Sequence, residues 1–156
     1  MKRKILQRIL FVILMIIFGC VAFYYFFVKD YAILNGYHDS EKYFDPHGFQ
    51  DYTDYCKYYY KDKFDKKFSN SFLYKKVEEE DIENITSYFM NFEHWMEIEE
   101  RLDVYDFDID VISEGDFVRI ETKEYGDSDP KWKFANYTIY LYDIESHILY
   151  YIHSNI

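Results

Sequence analysis

The chain combines one long apolar block with a series of short periodic pieces. From Ile9 to Val28 there are 20 consecutive residues without a charge. At about 1.5 Å per residue a helix of that length spans roughly 30 Å, the hydrocarbon thickness of a bilayer. Further on, Ile82, Ile85, Phe89, Phe92 and Met96 recur at spacings of three and four, and Tyr88, Trp95 and Ile98 widen the stripe. That period predicts an amphipathic helix from about Glu79 to Arg101. Glu78, Glu79, Glu80, Asp81 and Glu83 crowd its first turn, where negative charge favours the helix dipole, and Arg101 closes the other end.

The remaining apolar residues alternate, as strands do. Phe117 to Lys123 does so, and after the loop Gly126–Pro130 the stretches Tyr137–Asp143 and Ile148–His153 form a hairpin; residues 55–60 are strand-like by composition. Pairing Asp143 with Ile148 sets Leu141 opposite Tyr150 and Ile139 opposite Ile152, which gathers the aliphatic residues on one face. The other face then carries Thr138, Tyr140, Tyr142, Leu149, Tyr151 and His153. Residues 61–70 are polar and read as a loop, and turn signals at Asn35-Gly36 and Pro46-His47-Gly48 make 29–50 a connection. The fold class expected is α+β: an N-terminal transmembrane helix, then a small domain of one long helix packed on an antiparallel sheet of about four strands. The division expected is a basic stub at 1–8, a transmembrane helix at 9–28, a juxtamembrane connection at 29–50 and an acidic domain at 51–156.

Charge fixes the orientation of that anchor. Lys2, Arg3, Lys4 and Arg8 precede the apolar run, and Tyr24 and Tyr25 lie near its far end. The positive-inside rule holds the N-terminus in the cytoplasm and sends the acidic domain across the cell membrane, which makes the run a single-pass signal-anchor. A cleavable signal has an apolar core of only about 7–15 residues. A lipoprotein signal is the nearer rival, because Ile17-Phe18-Gly19-Cys20 resembles a lipobox, although Phe18 is bulky there. From Lys29 onward 14 basic residues face 29 acidic ones, a net charge of −15. This argues against nucleic-acid binding and favours cationic peptides or metal ions. The charge is also uneven. Lys57–Lys76 holds seven Lys against Asp62 and Asp65, whereas Val77–Pro130 holds 19 acids against Arg101, Arg119 and Lys123.

Candidate chemistry is thin. Asp106, Asp108 and Asp110 form a D-x-D-x-D string, but an EF-hand needs Gly and Glu where Val111 and Phe117 stand. Because Tyr105, Phe107, Ile109 and Val111 alternate with these acids, the segment reads as extended with a wet face. His94 and Glu97 lie three apart on the predicted helix with no third ligand, and His147 and His153 are separated by roughly 20 Å along one strand, so no metal site and no cofactor are expected. Ser146-His147 lacks a nucleophile-elbow motif, and five glycines leave no phosphate-cradling loop. Cys56, the one thiol beyond the apolar run, reads as a buried small apolar residue, with a crosslinked dimer or a nucleophile as the alternatives. The sequons Asn84-Ile85-Thr86 and Asn136-Tyr137-Thr138 are matches by composition.

Two stretches carry a resemblance: Gly48-Phe49-Gln50-Asp51-Tyr52-Thr53-Asp54-Tyr55, and the tail from Asn136-Tyr137-Thr138 through Ser146-His147 to Tyr150-Tyr151-Ile152-His153. With the basic N-terminus and single apolar segment they resemble small uncharacterised membrane-anchored proteins of low-GC Gram-positive bacteria. The resemblance implies a location and a size, and no activity. The expected function is non-enzymatic binding at the cell envelope, as a sensor, accessory subunit or immunity-type domain. The expected partner is a protein or cationic peptide, held on a face of Tyr140, Tyr142, Tyr151 and His153, since tyrosine offers a large stiff surface with a polar tip. A second layer over that face, from 49–60 or 105–111, is the competing reading. The alternative function is a small envelope hydrolase gathering His94, His147 or His153 with a carboxylate and a nucleophile.

Overall fold

A computed structural model describes residues 2–24, 34–44, 52–122 and 134–155. The chain divides into two compact units, Met1–Gly36 and Tyr37–Ile156. In the first, helix α1 spans Lys2–Phe23. It begins seven residues before the apolar run and takes the basic residues into its first turns. Its uncharged part is therefore Ile9–Phe23, 15 residues or about 22 Å. Among the described residues no helix is long and apolar enough to cross a membrane, so the expected span over 9–28 is not found as such, and residues 25–28 lie outside the described ones. The side chains from Phe11 to Val21 are exposed all round α1.

The second unit is α+β, built on one antiparallel sheet of six strands in the order β1-β2-β6-β5-β4-β3. The strands are β1 (Asp39–Phe44), β2 (Tyr52–Tyr59), β3 (Lys75–Lys76), β4 (Phe117–Thr122), β5 (Asn136–Asp143) and β6 (Ile148–Asn155). The hairpin register is the one its apolar pattern requires: Asp143 opposite Ile148, Leu141 opposite Tyr150, Ile139 opposite Ile152. Two strands exceed the four expected, and both are edges. β1 reads Asp-Ser-Glu-Lys-Tyr-Phe, with four of its six residues exposed, and β3 has two exposed lysines. Edge strands carry charge in place of an apolar alternation, so the pattern that reveals inner strands is missing from them. The connection expected at 29–50 thus contains β1, and the domain begins at Tyr37.

Helix α3 (Glu79–Ile98) buries Ile85, Tyr88, Phe89, Phe92 and Met96 against one face of this sheet. The Asp81 carboxylate accepts the Glu78 backbone N–H at 3.2 Å and fixes the helix start. The helix stops three residues before Arg101. Glu100 turns left-handed at φ 57°, and the Arg101 and Glu100 N–H groups donate to the carbonyls of Met96 and Glu97. That is a Schellman ending with glutamate in the place glycine usually takes. Just before the turn, at the end of the helix, Ile98 is 54% exposed, off the stripe it was expected to widen. Tyr105 and Phe107 are buried between exposed Asp106 and Asp108, as the alternation requires, but Ile109–Val111 then closes into a 3-10 turn where extended chain was expected. The Asp108 carboxylate caps it by accepting the Asp110 N–H.

Residues 61–70 are not a loop. They fold into a 3-10 turn, Asp62–Phe64, running into a short helix α2, Asp65–Ser69. Phe64 and Phe68, four apart, are both buried, and the lysines around them hide that helical spacing from a hydropathy reading.

Candidate functional site

The sheet has two unlike faces. Tyr137, Ile139, Leu141, Tyr150 and Ile152 point into the core under α3. Alternation sends Thr138, Tyr140, Tyr142, Leu149, Tyr151 and His153 to the other side. There the strand register aligns residues into rows running across the strands. One row is Lys42, Cys56, Tyr151, Tyr140 and Arg119, and the next is Phe44, Asp54, His153, Thr138 and Glu121. At about 4.8 Å per strand, Lys42 and Arg119 stand roughly 19 Å apart at the two ends.

A third row on this face is sealed. Tyr142 is 0% exposed and stacks on Phe68 with ring centroids 3.8 Å apart and planes 11° apart. Its hydroxyl donates to Asp65 at 2.6 Å. Burial raises the Tyr142 pKa, and the Asp65 carboxylate adds to the rise, so the hydroxyl stays a donor. Tyr60, Phe64 and Tyr74 ring the same spot. The covering layer is therefore the segment from Tyr60 to Tyr74. Residues 105–111, expected as one candidate for that layer, pack with α3 on the opposite face.

The rest of the face is partly open. Tyr140, Thr138, Tyr151 and His153 are half-buried, while Lys42, Phe44 and Glu121 are exposed. The Tyr140 and Tyr151 rings lie 5.2 Å apart, and the Arg119 guanidinium sits 5.2 Å from the Tyr140 ring centre while pairing with Glu121. At the other end the Lys42 ammonium lies 5.0 Å from the Tyr37 ring centre and 5.2 Å from that of Tyr58. His153 Nδ1 and the Thr138 hydroxyl are 2.7 Å apart. Burial raises the pKa of Tyr151 and of Tyr140, so both present neutral hydroxyls to an incoming group. Of the four residues expected on a binding face, Tyr140, Tyr151 and His153 share this open part, whereas Tyr142 belongs to the sealed row.

No family model matches the chain, nor does any curated protein or solved structure. The site therefore rests on its own geometry.

The histidines are dispersed. His94 is exposed on the outer side of α3, His153 lies on the open sheet face, and His147 occupies the β5–β6 turn at φ 58°. His147 Nδ1 stands 3.2 Å from the Asp65 carboxylate, which also takes the Tyr142 hydroxyl, and its carbonyl accepts the Tyr60 N–H. A carboxylate holding an imidazole is the orienting pair of a hydrolytic triad. Here the hydroxyl beside it is the buried Tyr142, and the Ser146 hydroxyl is turned to Asp143. The trio clamps the covering segment to the hairpin. Among the described residues no group of three or more His, Cys, Asp or Glu could hold a metal ion.

Cys56 is a free thiol, 0% exposed within the first open row, which removes it as a crosslink. Burial pushes its pKa up, against a smaller lowering by Tyr58. Lys42, Asp54 and Arg119 were not legible as site residues. In β2, tyrosines stand on both sides of the strand, at 55 and 59 on one and at 58 on the other, so the sequence shows no contrast between its faces.

Proposed function

We propose that this chain is a membrane-anchored, extracytoplasmic binding module whose partner docks on the open rows of the sheet. One observation carries the reading. A single sheet face is sealed at one end by Phe68 and Tyr74, yet leaves Tyr140, Tyr151, Thr138 and His153 half-exposed at the other. Tyrosine pairs flanked by an arginine and a lysine suit a protein surface: the rings supply stiff apolar area and the charges set the register. The face carries Lys42 and Arg119 against Asp54 and Glu121, so it takes a partner of mixed charge. A cationic peptide, as for an immunity-type protein, is instead matched by the exposed acids of α3, among them Glu80, Glu83, Glu93 and Glu97.

Anchoring is supported by the uncharged run Ile9–Val28, by the four basic residues before it, and by a helix whose apolar side chains are exposed on every side. A helix that is apolar all round needs an apolar solvent. The positive-inside rule gives the direction.

The test is affinity capture from detergent-solubilised membranes with the wild type and a Tyr140→Ala/Tyr151→Ala variant. A specific partner retained by the wild type and lost by the folded variant is the expected result. Equal capture by both moves the partner off this face.

A further inference from the structure

The sheet separates the domain's charge. On one side lies α3 with Glu79, Glu80, Glu83, Glu93 and Glu97 exposed, followed by exposed Asp103, Asp106, Asp108 and Asp110. On the other lies the covering segment, whose Lys61, Lys63, Lys66 and Lys67 are exposed with one exposed acid, Asp62, among them. Its inner face is committed: Phe68 stacks on Tyr142, and Asp65 is held by Tyr142 and His147. The Lys63 and Lys67 ammonium groups lie 5.6 Å and 4.2 Å from the centre of the Phe64 ring, which keeps both stems along the surface of the segment. Phe72, in the same segment, is 53% exposed. The lysines project on a rigid scaffold with an exposed aromatic beside them.

We propose that this patch, Lys61, Lys63, Lys66, Lys67 and Phe72, docks on the anionic lipid surface beside the anchor. The inference rests on the anchored reading and adds an orientation to it. From Lys29 onward the chain carries −15, so a bilayer of anionic headgroups repels the domain as a whole. The repulsion acts within about 10 Å at ordinary ionic strength, and over that range the domain turns its basic side down and its acidic side out. Exposed Phe72 separates a lipid surface from a soluble polyanion, since an aromatic ring gains by entering the headgroup layer and gains nothing from a polyphosphate chain. The acids of α3 then face away from the membrane, toward an approaching cation.

The experiment uses the full chain in nanodiscs of phosphatidylcholine alone or with about one-third phosphatidylglycerol. Lysine acylation rates are read residue by residue by mass spectrometry. Lys61, Lys63, Lys66 and Lys67 are expected to react about threefold more slowly in the anionic discs, with Lys75, which pairs with Asp81 on the α3 side, unchanged as the internal reference. Salt at 1 M, where screening shortens to about 3 Å, is expected to restore the rates. A Phe72→Ser variant, altered at an exposed position, is expected to lose part of the protection while staying folded. Equal rates in the two discs overturn the inference and leave the anchor intact. Protection by soluble polyphosphate with none by anionic discs overturns it in favour of a polymer ligand. A chain that fails to enter neutral discs overturns the anchored reading, and this inference with it.

Discussion

Tyr140 and Tyr142 lie two residues apart on one strand face, yet one is half-exposed and the other fully buried. The difference comes from Phe68, 74 positions before Tyr142 in the chain, and no local pattern around Tyr142 announces it. A hydroxyl-bearing face is legible from alternation; which part of it is covered is not. Glu100 is a second case. A left-handed residue there is required once the helix ends at Ile98, but glutamate gives no sign of it. Glycine adopts that backbone without the side-chain clash, so Glu100→Gly is expected to raise stability by about 1 kcal/mol in urea unfolding. A loss of stability would mean that the Glu100 side chain contributes more than its backbone costs.

Elements with one wet and one dry side were legible, and those with neither were not. The stripe of α3 and the register of β5 with β6 follow directly from spacing, because each meets the core along a whole face. β1 and β3 leave no such pattern because an edge strand buries little, and α2 leaves none because lysines flank its two phenylalanines. α2 is nevertheless a tight element. Phe68 is 0% exposed among Tyr60, Tyr74 and Tyr142. Phe68→Ala is expected to cost about 3–5 kcal/mol in denaturant unfolding and to open the sealed row. A cost below about 1 kcal/mol would show that the covering segment is not a fixed layer.

For the molecule as a whole, charge sets the pH response. The Lys57 ammonium lies 2.6 Å from Asp106 and 2.8 Å from Glu41. Burial disfavours its charge, but the hydrogen bonds it donates to both carboxylates outweigh that and raise its pKa above the ordinary lysine value. Glu41 is lowered by its bond to Lys57 and then by that to Tyr59. Burial works to raise Asp106, and the bonds from Lys57 and Tyr55 overcome it and lower the pKa. Carboxylates depressed in the folded state add stability above their unfolded values, near pH 4, and that stability is lost as pH falls through the folded values. Asp116, raised chiefly by burial, runs the other way and adds stability at low pH. Wild type is therefore expected to weaken as pH drops below about 4, and Lys57→Met to show a shallower decline over the same range in thermal melts. Parallel curves would show that the lysine bridge has no net role.

The position of β6 has a consequence for how the protein is made. It is the last of the described strands in sequence, yet it lies between β2 and β5 and is hydrogen-bonded to both. β2 therefore leaves the ribosome nearly 90 residues before its neighbour, and no shorter nascent chain can close the sheet. At about 5–20 residues per second the domain stays open for several seconds of synthesis.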